Sequence, residues 1–430
     1  MDINRKTAYS TLMDVETKKS FSNLALNHQM ILNKPDSPGF VRELVYGVLE
    51  NKMLLDHYID QLVKTGAASL KASDRTILRM GIYQLGYMDS VPEYAAVNES
   101  VVMAKRFCHG RSGFINGVLR GYLKKRDELQ LPDRAEDEIK YLSIKYSYEP
   151  WIVELWVDEY GVEFTEELLA AGNETPQNTI RLNWLKAKKE DLIEGLEARG
   201  FEVEQGKHSP NALYVKGSGL LDTEFYKHGL FSVQDESSMM VAEKMDPKHG
   251  EVIMDVCAAP GGKTMAIAER MNNTGRVISS DVYRRKLDLI DREAHRLGIR
   301  NVETRPWDAT RVDSSMVGKA DRVLVDAPCS GLGVVRRKPE IKYKAKSDEM
   351  DLLPRKQLAI LSASAQYVKV GGTLVYSTCT VNPYENERVV EDFLKKNGRF
   401  KIQESVQLLP NKDGTDGFFI CVMKDDSSLI

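Results

Sequence analysis

The chain of 430 residues carries 60 Lys+Arg against 63 Asp+Glu, a net charge of -3, with 42% hydrophobic and 29% charged residues. These proportions exclude a wholly disordered, collagen-like or fibrous polypeptide, and the length allows two to four domains with buried cores. No run of about eighteen apolar residues occurs, and the first residues, MDINRKTAYSTLMDVETKKS, lack an apolar core behind their charges, so a cytoplasmic protein without membrane partners is expected. The five cysteines, Cys108, Cys257, Cys329, Cys379 and Cys421, are too few and too scattered for a disulfide framework and are read as thiols. No CxxC, HExxH or histidine cluster provides metal-ligand spacing, so no metal is expected.

Residues 1–140 read as helical. Leu78, Ile82 and Leu85 repeat at helical spacing, and Val97, Val101 and Ala104 do so again after a turn at Ser90-Val91-Pro92. Short connections between such helices give a bundle. Residues 1–130 balance at +4 and the remainder at -7, a modest asymmetry. Two local clusters are stronger: Arg111–Arg126 has five basic and no acidic residues, and Gly331–Lys346 has six basic and one acidic. A solvated helix face and a charged loop would account for either cluster alone. The blocks RELVYGVLENKMLLDHYID, SDRTILRMGIYQLGYMDSVPEYAAVNESVVMAKR and FINGVLR, in that order, resemble the NusB-like RNA-binding domain. A generic amphipathic bundle is the competing account.

Residues 141–245 read as a bridge. SYEPWIVELWVDEYG and EFTEELLAAG look helical, TIRLNWL is a strand, KKEDLIEGLEARG a helix, and FEVEQ and ALYVKG are strands, which makes a small α+β module. Nothing in it specifies chemistry. Residues 246–430 change to a strand, turn, helix rhythm: VIMDV, RVISSDV, NVETRPWDA, DRVLVDAP and GGTLVYSTCT are strands separated by helical stretches. That alternation predicts a parallel, doubly wound α/β sheet with ligands outside the carboxyl ends of its strands.

Cys257-Ala258-Ala259-Pro260-Gly261-Gly262-Lys263-Thr264 falls at a strand-to-helix turn, where small residues admit a ligand to the backbone and a helix N-terminus offers N–H groups. Two ligands compete. A phosphate loop needs GxxxxGK[ST]; the segment ends correctly but has Cys257 at the first glycine, and Asp326 could serve as the acid of a P-loop NTPase. The other ligand is S-adenosylmethionine, whose ribose hydroxyls call for an acid after the second strand, where Asp281 stands. Asp308, after the third strand, could face the adenine or ribose. Each acid alone reads as a cap or a solvated loop residue; three at successive strand ends read as a site.

Cys329 in Asp326-Ala327-Pro328-Cys329-Ser330-Gly331 and Cys379 in Ser377-Thr378-Cys379-Thr380 follow two strands on the same rim, whereas the thiols of Cys108, Cys257 and Cys421 are read as inert small hydrophobes. CAAPGGKT, DAPCSG and STCT in this order resemble the NOL1/NOP2/Sun family of RNA cytosine-C5 methyltransferases, and the NusB-like front end narrows the resemblance to the RsmB/Sun-type bacterial 16S rRNA enzymes, over nearly the whole chain. The resemblance implies a NusB-like bundle, a small α+β bridge and a Rossmann-like class I methyltransferase domain. It also implies S-adenosylmethionine bound at Cys257–Lys263, Asp281, Asp308 and Asp326, and 16S rRNA as substrate, at cytosine 967. C5 of cytosine is a poor nucleophile, so a thiolate must first add to C6. By resemblance Cys379 is that nucleophile and Cys329 assists release, while Asp326 contacts either the cytosine or the cofactor. Lys263 is a candidate to favour the thiolate, and Arg336, Arg337 and Lys338 to hold phosphates beside an unstacked base. A monomer is expected. A non-catalytic RNA-binding assembly or antitermination factor is the reading from another class.

Overall fold

The computed structural model describes residues 1–345 and 352–427. Two compact units divide them: Met1–Glu174 with Val335–Ala345, and Thr175–Val334 with the described residues from 352 onward.

The first unit is helical. Its helices span Ile3–Lys18, Ser22–Asn33, Pro38–Glu50, Lys52–Leu62, Ala72–Tyr87, Glu93–Phe107, Ser112–Lys125, Glu138–Tyr146, Pro150–Tyr160 and Val162–Ala171. Local chemistry sets several of their ends. The side chains of Asp2 and Asp137 cap the N–H groups that open their helices, and Pro38 and Pro150 occupy first turns, where a missing N–H costs nothing. Leu78, Ile82 and Leu85 are buried as their spacing predicts; of the second stripe Ala104 is buried, while Val97 and Val101 are half-buried. Val335–Ala345 belongs to this unit and is stitched into it by polar bonds. The Lys342 ammonium donates to the carbonyls of Glu50 (3.0 Å) and Tyr146 (3.2 Å) and to Asn173 Oδ1 (2.6 Å). Glu340 accepts from the Ser22 N–H, and the Tyr343 hydroxyl donates to the Leu49 carbonyl. Lys342 therefore spends two of its three donors on carbonyls that helix ends leave unpaired and the third on an asparagine side chain.

The second unit contains two sheets. In the smaller, β1 (Thr179–Leu182), β2 (Glu202–Gln205), β3 (Ala212–Lys216) and β4 (Phe231–Val233) pair antiparallel in the order β2-β3-β1-β4. The three-residue β4 was not among the expected strands. The larger sheet comprises β5 (Val252–Asp255), β6 (Arg276–Asp281), β7 (Val302–Pro306), β8 (Ala320–Asp326), β9 (Val368–Thr378), β10 (Phe400–Leu408) and β11 (Phe418–Asp425), in the order β10-β11-β9-β8-β5-β6-β7. β5 to β9 are parallel, as their helical crossovers require, and β11 runs antiparallel between β9 and β10. The expected parallel, doubly wound sheet is thus extended by an antiparallel pair. From β5 the chain winds one way through β6 and β7, then returns to β8 and β9 on the other side. That makes the β5/β8 crevice the switch point where ligands bind in such sheets.

Candidate active site

β5 ends in Asp255, and the turn Val256–Gly261 leads into the helix Gly262–Arg270. Gly261 sits at φ +108°, and a Cβ there would come 3.0 Å from Ile290, so only glycine lets the chain turn here while lying this close to the neighbouring helix. Ala258 N–H donates to the Ser280 carbonyl at 2.8 Å, pinning the loop to β6. Behind the loop, Arg181 of β1 pairs with Glu269 at 2.8 Å, both side chains 4% exposed, and donates to the Gly262 carbonyl. The small sheet thereby braces the first turn of this helix.

The four strand-end acids behave differently. Asp255, which the sequence reading passed over, is 1% exposed; its Oδ2 accepts from the Thr264 hydroxyl at 2.7 Å and its Oδ1 has no partner. Burial pushes its carboxyl up to about 7. Asp281 accepts from the Tyr283 N–H at 2.9 Å and lies 3.7 Å from the Lys286 ammonium. Asp308 accepts from the hydroxyl and N–H of Thr310 in its own turn, which holds its carboxyl below the usual range, and it is half-exposed. Asp326 is held from two sides, by the Lys263 ammonium at 2.8 Å and the Ser377 hydroxyl at 2.9 Å. Burial opposes the charge of Lys263, but Asp326, with Cys379 and Asp255 beyond it, keeps its pKa above the ordinary value.

Cys329 and Cys379 end the turns after β8 and β9, and their sulfurs lie 3.4 Å apart. The hydrogen bond to Cys379, burial, and the charges of Cys379, Glu385 and Asp326 push the Cys329 thiol well above its usual range. Cys257 is pushed up by burial. Cys108 and Cys421 are buried with thiols raised to about 12, as expected of inert residues. Loop, lysine, acid and paired sulfurs thus share one rim of the large sheet. Of the three candidates for phosphate contact, Arg336 is buried in the helical unit, 7% exposed, while Arg337 and Lys338 are half-buried and the Lys338 ammonium lies 5.7 Å from the centre of the Phe21 ring.

Residues 242–424 match the family described as 16S rRNA methyltransferase RsmB/F, residues 2–124 the NusB family, and residues 148–220 the ferredoxin-like domain of RsmF/B-like methyltransferases. The probable ribosomal RNA small subunit methyltransferase B of Bacillus subtilis is 38% identical, covering 98% of each chain. The chain belongs to the RsmB/F family of ribosomal RNA small subunit methyltransferases. The corresponding protein of Synechocystis is 34% identical over 98% of this chain and 99% of its own. Among solved structures, PH0851 covers 98% of both chains at 26% identity with a TM-score of 0.83, and a methyltransferase homolog protein from Pyrococcus horikoshii covers 67% of this chain and 99% of its own at 25% and 0.61. Membership removes the NTPase and binding-only readings, and RsmB/F enzymes, this one included, depend on S-adenosylmethionine. The residues present fit that cofactor. Gly261 and Gly262 open the backbone, the helix N-terminus faces the loop, and the unpartnered Asp255 oxygen offers a buried acceptor for a cationic or hydroxylated ligand.

Proposed function

We propose that this enzyme methylates C5 of a cytosine in 16S rRNA, by resemblance cytosine 967, through a covalent bond between Cys379 and C6. The observation that carries the reading is the 3.4 Å approach of two sulfurs beside the Lys263–Asp326 pair. Attack and release need separate groups, since the nucleophile is occupied once it has bonded to the ring. The Cys379 thiolate adds to C6 and makes C5 electron-rich. S-adenosylmethionine, held by the Cys257–Lys263 loop, Asp281 and Asp308, supplies the electrophilic methyl group. A base then takes the C5 proton, the S–C6 bond breaks, and Cys379 leaves as thiolate; Cys329 assists this release. The negative partners that raise the Cys329 thiol keep it protonated while Cys379 attacks. Lys263 lends the positive charge that favours the Cys379 thiolate. Asp326, fixed by Lys263 and Ser377, is placed to accept from the cytosine amine with its remaining lone pairs.

RNA contact by the NusB-like unit is part of this reading. Its basic helix Ser112–Lys125 borders a groove of about 580 Å³ lined by Tyr94, Asn98, Asn116 and Arg120. The mechanism is tested with an rRNA fragment and cofactor on denaturing gels. Cys329→Ala is expected to accumulate a protein–RNA adduct and Cys379→Ala to form none, while bisulfite sequencing reports 5-methylcytosine. Adduct formation by Cys379→Ala would overturn the assignment.

A further inference from the structure

After Cys379 the chain reads Thr380-Val381-Asn382-Pro383-Tyr384-Glu385-Asn386, and neither Glu385 nor Asn386 exposes any surface. A buried carboxylate is costly unless its lone pairs are met, so its donors show what it is for. Glu385 Oε2 accepts from the Ser330 N–H at 2.8 Å and from Gln357 Nε2 at 2.9 Å; Oε1 accepts from Asn382 Nδ2 at 2.9 Å. Gln357 Nε2 also donates to the Pro328 carbonyl at 3.0 Å. The peptide groups immediately before and after Cys329 are therefore both held through Glu385 and its glutamine partner. Asn386 bonds the two residues that flank the other sulfur. Its Oδ1 accepts from the Thr378 hydroxyl at 2.5 Å and its Nδ2 donates to the Thr380 carbonyl at 3.0 Å, on either side of Cys379. The Tyr376 hydroxyl donates to the Glu385 carbonyl at 2.6 Å, tying the pair to β9, and the Ser330 and Thr380 hydroxyls join the two turns at 2.7 Å.

We propose that Glu385 and Asn386 form the positioning pair of the reaction, Glu385 holding the Cys329 turn and Asn386 the Cys379 turn at the sulfur spacing in which attack and release alternate. The assignment of one partner to each step rests on the cysteine roles proposed above; the bracketing of the two turns does not. Apolar side chains of similar volume would bury no charge but would leave the Ser330 N–H and the Thr380 carbonyl without these partners, so what the pair supplies is the hold on the two turns. Neither residue touches the reacting atoms, so each acts through the cysteine it brackets. Glu385 has a second effect, because its charge is one of those that hold the Cys329 thiol protonated.

The test uses the full chain, with thermal melting and S-adenosylhomocysteine calorimetry to establish folding of each variant. In single turnovers Glu385→Ala should slow product release at least tenfold and accumulate adduct as Cys329→Ala does, and Glu385→Gln, which keeps an acceptor for the Ser330 N–H, should restore release to within threefold. Gln357→Leu, which leaves the Glu385 charge in place, should give the weaker form of the same defect. Asn386→Ala should slow adduct formation at least tenfold without accumulation. Independently of catalysis, the rate at which diamide links Cys329 to Cys379 by taking two hydrogens from the thiols should fall at least tenfold in Glu385→Ala and Asn386→Ala. Unchanged cross-linking in folded variants, or equal slowing of attack and release in both, overturns the proposal. Should Cys329→Ala trap no adduct while cross-linking is still slowed, the cysteine roles fail and the positioning of the turns stands.

Discussion

At the residue scale the site is an arrangement of charges whose values depend on one another. Lys263 pairs with Asp326 and its charge is felt by Cys379, and its ammonium also lies 4.9 Å from the centre of the Phe418 ring. Lys263→Met removes the positive charge that favours the Cys379 thiolate and leaves Asp326 without its partner. Alkylation of Cys379 by iodoacetamide at pH 7.5 is expected to slow about tenfold for each ~1.4 kcal/mol of lost attraction, with methyl transfer falling at least as far. Asp255 gives a pH signature. Its carboxyl is raised to about 7 by burial, so between the ordinary carboxylate range and pH 7 the folded chain binds a proton that the unfolded chain has released. The stability this supplies is complete below pH 3.8 and is lost as pH rises through about 7. Asp255→Asn, neutral throughout, is expected to gain on the wild type in melting temperature from pH 4 to 7 and then hold a constant difference. A difference independent of pH would mean that the carboxyl is ionised throughout.

At the element scale, two contacts show how close packing fixes the parts. Gly333 N–H donates to the Cys379 carbonyl at 3.1 Å, Gly417 N–H donates to the Gly333 carbonyl at 2.8 Å, and a Cβ on Gly333 would fall 1.9 Å from the Gly417 carbonyl oxygen. Backbone cannot retreat as a side chain can, so Gly333→Ala should cost about 1–3 kcal/mol in chemical denaturation and displace the chain just after Cys329, with loss of activity. In the helical unit, Glu16 of Ile3–Lys18 meets Arg75 (2.7 Å) and Arg79 (3.5 Å) of Ala72–Tyr87 and Lys52 (3.3 Å) of Lys52–Leu62. Burial opposes its charge, but Arg79, Lys52 and Arg75 prevail and lower its carboxyl to about 2. Its stabilisation is complete above pH 4.5 and is lost as pH falls through about 2. Glu16→Gln should therefore cost about 2–3 kcal/mol at pH 7, and urea titrations at pH 2 should show most of that difference gone.

These elements also mark what was legible in the sequence. β5, β8 and β9 were readable because a strand buried on both faces is a short apolar run, β6 and the half-exposed β7 because they fall in the strand–helix alternation, and the turns carrying Cys257–Lys263, Cys329 and Cys379 because their motifs are contiguous. Asp255 obeys the same strand-end rule as Asp281, Asp308 and Asp326 and could have been found with it. Glu385 and Gln357 could not, since their bonds to each other and to the peptides around Cys329 join positions 28 to 55 residues apart and leave no periodic trace. Within Gly331–Lys346 the sequence likewise leaves no trace of the acceptors of Lys342, which lie 169 to 292 residues away.

At the scale of the whole molecule, the chain does not finish one unit before beginning the next. It leaves the helical unit at Glu174 and returns for Val335–Ala345. Those eleven residues bring a fully buried lysine, whose ammonium burial pushes down to about 7 and which lies 4.3 Å from the centre of the Tyr148 ring. Without them the carbonyls of Leu49 and Glu50, at the end of one helix, lose their donors, the Tyr146 carbonyl keeps only Asn173, and the Ser22 N–H loses its acceptor. Unmet buried polar groups cost about 1–3 kcal/mol each, while water can still reach some of them in a truncated unit. A fragment of residues 1–174 is therefore expected to unfold at lower temperature than the same unit within the full chain, although its sequence holds nearly all of the apolar core. Adding a peptide of residues 335–345 should raise its melting temperature in a saturable way, as for any ligand that binds only the folded state. The same peptide carrying Lys342→Met, which keeps much of the buried stem but none of the donors, should give little or no shift. Equal stabilisation by both peptides would assign the effect to apolar contact through Val335 and Ile341 and remove the polar account.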